Sequence, residues 1–133
     1  MDLFNVQAIE INAPRARVFE FVRNPHNLPR WAQAFQSVQD GRALLETPQG
    51  AINVQLDVLA HGECGTVDWR MQFPDGSVAI AQSRVTDTTR SSCIYSFVLH
   101  APPVALEQVE GTLAAQRVTL ASELAALKDL MER

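Results

Sequence analysis

The feature that most constrains this fold is the segment from residue 9 to residue 31, IEINAPRARVFEFVRNPHNLPRW. An alternating strand runs into Ala13-Pro14, and proline suits the first turn of a helix because its missing N–H is not needed there. Asn24-Pro25 caps and opens a second short helix. Pro29 lies inside that second segment, so we expect it to be about one turn long or irregular. The segment therefore predicts a strand followed by two short helices.

A series of short apolar runs separated by turn signals makes up the middle of the chain. Asp75-Gly76 is a strong hairpin signal between two of these runs. Alternation within the runs, at roughly ten-residue spacing, predicts an antiparallel meander. Together with the first strand, the predicted strands are residues 4–11, 34–39, 42–47, 51–60, 66–73, 77–86 and 92–100.

The C-terminal segment is predicted to cover the apolar face of that sheet. Pro102-Pro103 end the last strand, and residues 105–132 contain no proline, so we expect one helix on the order of 40 Å long. A sheet that is polar on one face needs a cover on the other. Helical spacing places seven side chains in one apolar stripe: Leu106, Val109, Leu113, Leu120, Leu124, Leu127 and Met131. We therefore predict an α+β fold in which about seven curved antiparallel strands wrap around a long C-terminal helix.

Size and charge narrow the classes of function. The 133 residues predict a single domain, residues 1–133, large enough to bury a core. The net charge is −4 and Lys and Arg form no basic run, which argues against a nucleic-acid partner. No apolar run approaches the ~20 residues of a membrane span, and the N-terminus does not have the pattern of a signal peptide. We expect a cytoplasmic protein with no membrane span, and a homodimer is compatible with its size.

The metal-binding and nucleophilic residue types form no recognisable motif. Cys64 and Cys93 make no CxxC pair and are expected to be free thiols. His26, His61 and His100 show no HxH, HxxxH or HExxH spacing. There is also no GxSxG and no glycine-rich phosphate loop. We therefore expect no metal site and no cofactor.

The order of elements and several short motifs resemble a known superfamily. The chain is similar to the polyketide cyclase/dehydrase and lipid-transport group of the START-like (SRPBCC) superfamily, whose helix-grip arrangement it shares along essentially its whole length. Members of this kind include aromatic cyclases, lipid carriers, quinone-binding proteins, hormone receptors and chaperone activators. No catalytic motif is common to all of them, so the resemblance implies no catalytic residue here. The matching residues are Ile11-Asn12-Ala13-Pro14, Val18-Phe19, Asn24-Pro25, Asn27-Leu28-Pro29, Trp31, Glu123-Leu124 and Leu127-Lys128.

Three residues stand out as candidates for binding a ligand. Arg117 falls between Leu113 and Leu120 on the helical stripe, where it either pairs with a carboxylate at the rim or points inward to meet an anionic ligand. Trp69 and Tyr95 are predicted on inner strand faces, either as core packing or as a stacking platform for a flat ligand. The full predicted ligand-binding set is Trp69, Met71, Tyr95, Phe97, Leu113, Arg117 and Leu120.

Three functions are compatible with these features. The first is a protein that carries or sequesters a small hydrophobic, planar molecule in a cavity between the sheet and the C-terminal helix. The second is a polyketide cyclase or dehydratase using the same cavity. The third is an interaction module with an exposed apolar groove. An enzyme should hold at least one titratable group with a perturbed pKa inside the cavity, whereas a carrier needs none.

Overall fold

The computed structural model describes residues 3–47 and 50–133. The first part of the chain forms β1 (Phe4–Ile11), α1 (Arg15–Arg23) and a 3₁₀ helix (Pro25–Arg30). The middle forms β2 (Phe35–Gln39), β3 (Arg42–Thr47), β4 (Gly50–His61), β5 (Thr66–Gln72), β6 (Val78–Asp87) and β7 (Cys93–His100). The chain closes with α2 (Val104–Glu110) and α3 (Leu113–Glu132). This order confirms the predicted strand, two short helices and strand meander.

The strands form one antiparallel sheet in the order β1-β7-β6-β5-β4-β3-β2. The first strand pairs with the last, so Ile11 lies opposite Cys93. The inner face of the sheet carries fully buried side chains such as Val67 on β5 and Val85 on β6. On β6 the buried Ser83 shares this inner face, which fixes an orientation that alternation alone leaves open. The structure thus confirms the α+β helix-grip architecture.

The segment after β1 forms as the proline positions predict. The side chain of Asn24 accepts a hydrogen bond of 3.1 Å from the backbone N–H of His26 and so caps the 3₁₀ helix. Pro29 lies inside this six-residue helix, which keeps it short. The chain then brings Trp31, only 5% exposed, onto the inner face of the sheet.

The C-terminal cover differs from the expected single helix. Gly111 has φ 86° and ψ −175°, a conformation that glycine adopts far more easily than other residues, and it separates α2 from α3. Thr112 then caps α3, because its hydroxyl accepts a hydrogen bond of 3.3 Å from the N–H of Ala115. The long helix therefore has 20 residues and a length of about 30 Å rather than 40 Å.

The break lets the two helices cover different parts of the sheet. α3 packs along β1 and also touches β7, whereas α2 packs against β3 near the other edge. A gap between the helices and the inner face of the sheet follows from this divergence. Within the described residues, none of the helices combines the length and apolar character needed to cross a membrane.

Candidate functional site

A cavity of about 380 Å³ lies between the inner face of the sheet and the C-terminal helices. Its size is within the range of cavities that hold small ligands. The sheet contributes side chains from β2 to β7, and the segment after the 3₁₀ helix closes one side. Apolar residues dominate the wall, among them Leu28, Leu56, Met71, Ala81, Leu106 and Leu120. A molecule inside would therefore lose most of its contact with water.

Aromatic rings form the core of the wall on the sheet side. Trp69 stacks on Phe97 with ring centroids 5.6 Å apart and an interplanar angle of 27°. Trp31 lies 6.4 Å from the Trp69 ring, and all three residues line the cavity. The indole N–H groups of both tryptophans are buried and find no hydrogen-bond partner in the described parts of the chain. Aromatic rings packed in this way provide a surface on which a planar molecule can stack.

The helix side of the cavity carries polar groups among its apolar side chains. Glu110 ends α2, and Gln116 and Glu123 lie on the inner side of α3. The carboxyl Oε2 of Glu123 accepts a hydrogen bond of 2.7 Å from the backbone N–H of Gln33. The side-chain amide of Gln116 donates a hydrogen bond of 3.0 Å to the carbonyl of Gly111. The helix break is thus stabilised by a residue that also lines the cavity.

The half-buried carboxyl of Glu110 and the buried carboxyl of Glu123 both have raised pKa values. Burial raises the pKa of Glu110 from 4.5 to about 7, because the charged form loses its hydration. Burial likewise raises the pKa of Glu123 to about 7; the hydrogen bond from Gln33 opposes the rise, and repulsion from Glu110 adds to it. Both groups can therefore take up or release a proton at physiological pH.

Tyr95 lies behind this wall. It is fully buried and packs edge-on against Trp31, with ring centroids 6.1 Å apart, but it is not among the residues that line the cavity. Burial raises the pKa of its phenol far above the usual range, an effect that the Ser83 hydroxyl opposes and the charge of Glu123 reinforces. Tyr95 therefore acts as packing for the aromatic wall.

Four residues of the predicted ligand-binding set line the cavity and three do not. The four are Trp69, Met71, Phe97 and Leu120. Leu113 is buried at the start of α3, but outside the lining. Ligand contact by any member of the set stays a prediction.

The position of Arg117 requires a correction. Arg117 is exposed and does not line the cavity, so it is not part of the buried side of α3. The buried stripe of α3 includes Gln116 and Glu123, which shifts its centre away from Arg117. At about 100° per residue, Arg117 lies about 120° from Glu123 around the helix. The backbone carbonyl of Arg117 accepts a hydrogen bond of 2.9 Å from the Gln7 side chain, which ties α3 to β1.

Several cavity residues are missing from the sequence-based set, among them Trp31, Glu110, Gln116 and Glu123. In the sequence, Trp31 stands out only as one of the residues that carry the family resemblance. Gln116 and Glu123 are seven residues apart, which places them on one helix face, and this spacing was the available signal. The Gly111-Thr112 pair was a second signal, since glycine often ends a helix and threonine often begins one.

The remaining titratable candidates lie at the margins of the site or outside it. His100 is at the cavity edge, and its Nε2 lies 2.5 Å from the Gln82 side-chain oxygen. Cys64 is an exposed free thiol and Cys93 a buried one. Burial raises the pKa of Cys93, and the negative charges of Asp87 and Glu10 add to the effect, so this thiol stays protonated.

Comparisons with known proteins identify the fold. No model of a known family matches the chain, and no curated protein sequence does. Among solved structures, the chain is similar to the Zhui aromatase/cyclase from a Streptomyces species, with a TM-score of 0.74 and 11% identity over 98% of this chain and 93% of that one. It is also similar to a START superfamily protein from Mycobacterium smegmatis, with a TM-score of 0.68 and 11% identity over 98% of both chains.

A third similar structure is the Aha1 dimer from Colwellia psychrerythraea, with a TM-score of 0.67 and 15% identity over 98% of this chain and 97% of that one. At such low identity the likeness concerns the fold. The chain shares the helix-grip fold of these structures.

Proposed function

We propose that this protein binds a small hydrophobic ligand with a planar apolar part, and carries or sequesters it in the cavity. The observation behind this proposal is a cavity of about 380 Å³ whose wall contains the stacked rings of Trp69 and Phe97. A ligand that buries on the order of 200 Å² of apolar surface would gain about 5 kcal/mol from burial alone. The contacts we propose are Trp69, Met71, Phe97 and Leu120.

A fluorescent binding assay with a cavity-filling variant tests this proposal. Ala81 lies on β6 and lines the cavity, so Ala81→Phe should fill part of the space that a ligand needs. The probe is N-phenyl-naphthylamine, a neutral molecule that fluoresces strongly when it leaves water. Ala125→Phe adds the same ring at an exposed position of α3 and serves as the control.

We expect the wild type and Ala125→Phe to bind the probe with equal affinity, and Ala81→Phe to bind it at least about tenfold more weakly. A circular dichroism spectrum should show that all three proteins are folded. Equal binding by Ala81→Phe, or no binding by the wild type, would contradict the proposed cavity function.

A second candidate function is a cyclase or dehydratase. The observation that favours it is the presence of Glu110 and Glu123 at the cavity, with pKa values of about 7 that suit general acid–base catalysis. A titratable group with a perturbed pKa inside the cavity is what we expect of an enzyme and not of a carrier. Positioning of a reactive chain by the cavity would supply the rest of the rate enhancement.

The fate of a bound molecule separates the two functions. A molecule extracted from the purified protein is added back and followed by mass spectrometry during incubation. An unchanged mass together with an unchanged chromatographic retention time and ultraviolet spectrum supports a carrier, because ring closure without loss of water would leave the mass alone unchanged. Loss of one water, absent in a Glu110→Gln, Glu123→Gln double variant, supports a dehydratase.

A further inference from the structure

The charged side chains around the cavity are almost all acidic. Within the described part of the chain, the lining includes Glu46, Glu110 and Glu123, whereas His100 is its only residue that can become cationic. Lys and Arg contribute nothing to this lining. An anionic ligand would therefore meet repulsion, which argues against the ligand class that an inward-pointing Arg117 had suggested.

The polar atoms that remain available on the helix side of the cavity include acceptors, whereas the buried indole N–H groups of Trp31 and Trp69, elsewhere in the wall, are donors. Glu123 is only 9% exposed, and its Oε2 is occupied by the N–H of Gln33. Its Oε1 takes part in no hydrogen bond, and neither carboxyl has an ion-pair partner, as far as the described residues extend. Gln116 is 6% exposed, and its side-chain amide donates a hydrogen bond to the carbonyl of Gly111. Its side-chain oxygen remains as a further acceptor.

A carboxylate held largely away from water with no cation beside it is unfavourable, and a cation brought in by a ligand would reduce that cost. Resting on the proposed function, we infer that the ligand is an amphipathic amine whose protonated nitrogen lies between Glu110 and Glu123 while its planar apolar part stacks on Trp69 and Phe97. The aromatic faces would also attract a nearby cation. The carboxyls on the helix side of the cavity would thus contact the amine, and the aromatic rings on the sheet side would contact the planar apolar part.

Binding of such an amine must be linked to protons. Both carboxyls are partly protonated near pH 7, and a cation between them favours their ionised forms. Two other titratable residues line the cavity, Glu46 from β3 and His100 from β7, and Tyr95 of β7 lies behind its aromatic wall within reach of the charge of Glu123. The glutamate variants separate the contribution of Glu110 and Glu123 from that of these neighbouring groups.

The test uses three probes with one ring system: naphthylethylamine, naphthylethanol and naphthylacetic acid. Isothermal titration calorimetry measures their affinities at pH 6 and pH 8. At pH 8 we expect the amine to bind at least about tenfold more tightly than the alcohol, with the acid weakest. At pH 6 the preference for the amine should shrink. Repeating the titration at pH 7 in buffers of different ionisation enthalpy should reveal protons released on amine binding.

The double variant Glu110→Gln, Glu123→Gln keeps the shape of both side chains and removes their charge. We expect it to lose the preference for the amine over the alcohol. Glu107→Gln changes an exposed glutamate of α2 that does not line the cavity, and it should behave as the wild type.

The outcomes separate this inference from the proposed function. If the wild type binds the alcohol as tightly as the amine, or the double variant keeps the preference, the amine inference is wrong while the cavity function stands. If the wild type binds none of the three probes and N-phenyl-naphthylamine also fails to bind, the proposed function is itself contradicted.

Discussion

The backbone N–H of Gln33 and the Oε2 of Glu123, ninety residues apart in the chain, are joined by a hydrogen bond of 2.7 Å. The bond holds the segment after the 3₁₀ helix against α3, where both border the cavity. The Gln33 side chain adds a second tie of 3.1 Å to the hydroxyl of Ser122. Glu123 therefore both holds the cavity wall together and presents a carboxyl to the cavity.

This tie predicts different effects for two substitutions of Glu123. At pH 5 the carboxyl is protonated, so Glu123→Gln should leave the free energy of unfolding nearly unchanged, because an amide oxygen still accepts from Gln33. Glu123→Ala removes the acceptor and should cost about 1–2 kcal/mol. Urea unfolding measures both values. Ser122→Ala, which loses only an exposed contact, should cost less than Glu123→Ala. Equal stability of Glu123→Ala and Glu123→Gln would contradict the tie.

The buried carboxyls also predict how stability depends on pH. In the unfolded chain both titrate near 4.5, and in the folded protein near 7, so the folded state binds more protons between these values. The free energy of unfolding should therefore fall as the pH rises from about 4.5 to about 7, by up to about 3 kcal/mol for each carboxyl. Above pH 7 the fall should level off.

Urea unfolding between pH 5 and pH 8 measures this dependence, and the Glu110→Gln, Glu123→Gln double variant should be nearly flat over the same range. The lowered pKa values of Asp75 and Glu132 act in the opposite direction, at lower pH, and are present in both proteins. Parallel curves for the wild type and the double variant would show that the carboxyls are not buried as described.

The break between α2 and α3 predicts a specific sensitivity at Gly111. A Cβ there would lie 3.0 Å from the Cβ of Ala115, and the φ of +86° is strained for any L side chain. Gly111→Ala should lower the free energy of unfolding by about 1–3 kcal/mol. Gly62→Ala is the matched control, since its Cβ would meet Phe19 at an ordinary 3.6 Å. A Gly111→Ala variant no less stable than Gly62→Ala would indicate a continuous helix.

The single tyrosine of the chain reports on the packing behind the aromatic wall. Tyr95 is fully buried, and burial raises the pKa of its phenol far above the usual value of about 10. Ultraviolet absorbance should therefore show no phenolate until the protein unfolds at high pH, whereas in concentrated urea the phenol should titrate near 10. Phenolate formation near pH 10 with the circular dichroism spectrum unchanged would place Tyr95 at the surface.

The sheet could be predicted from sequence because its signals are local and repeated. Alternation in β5 puts Val67, Trp69 and Phe73 on one face, and all three are buried. Tight turns between successive strands then leave few ways to order the meander. The same local pattern predicts Trp69 on an inner face, whereas alternation alone leaves the face of Phe97 open, and both residues line the cavity.

The polar side of the site could not be predicted in the same way. A glutamate at position 123 fits an exposed helix face as well as a buried one, and only the packing of α3 against the sheet decides between them. The position of Arg117 depends in the same way on which side of α3 is buried. The buried side is rotated by part of a turn from the predicted apolar stripe, so Arg117 is exposed. Side-chain direction at the edge of a helical stripe depends on tertiary contacts that local spacing does not contain.

Native mass spectrometry of freshly expressed protein, before and after denaturing extraction, tests the central claim most directly. The cavity should hold a small hydrophobic molecule from the host, seen as a mass that is lost on denaturation. Ala81→Phe should lose that mass and Ala125→Phe should keep it. Wild-type protein that is folded, carries no such mass and takes up none from a mixture of apolar amines and alcohols would contradict the claim.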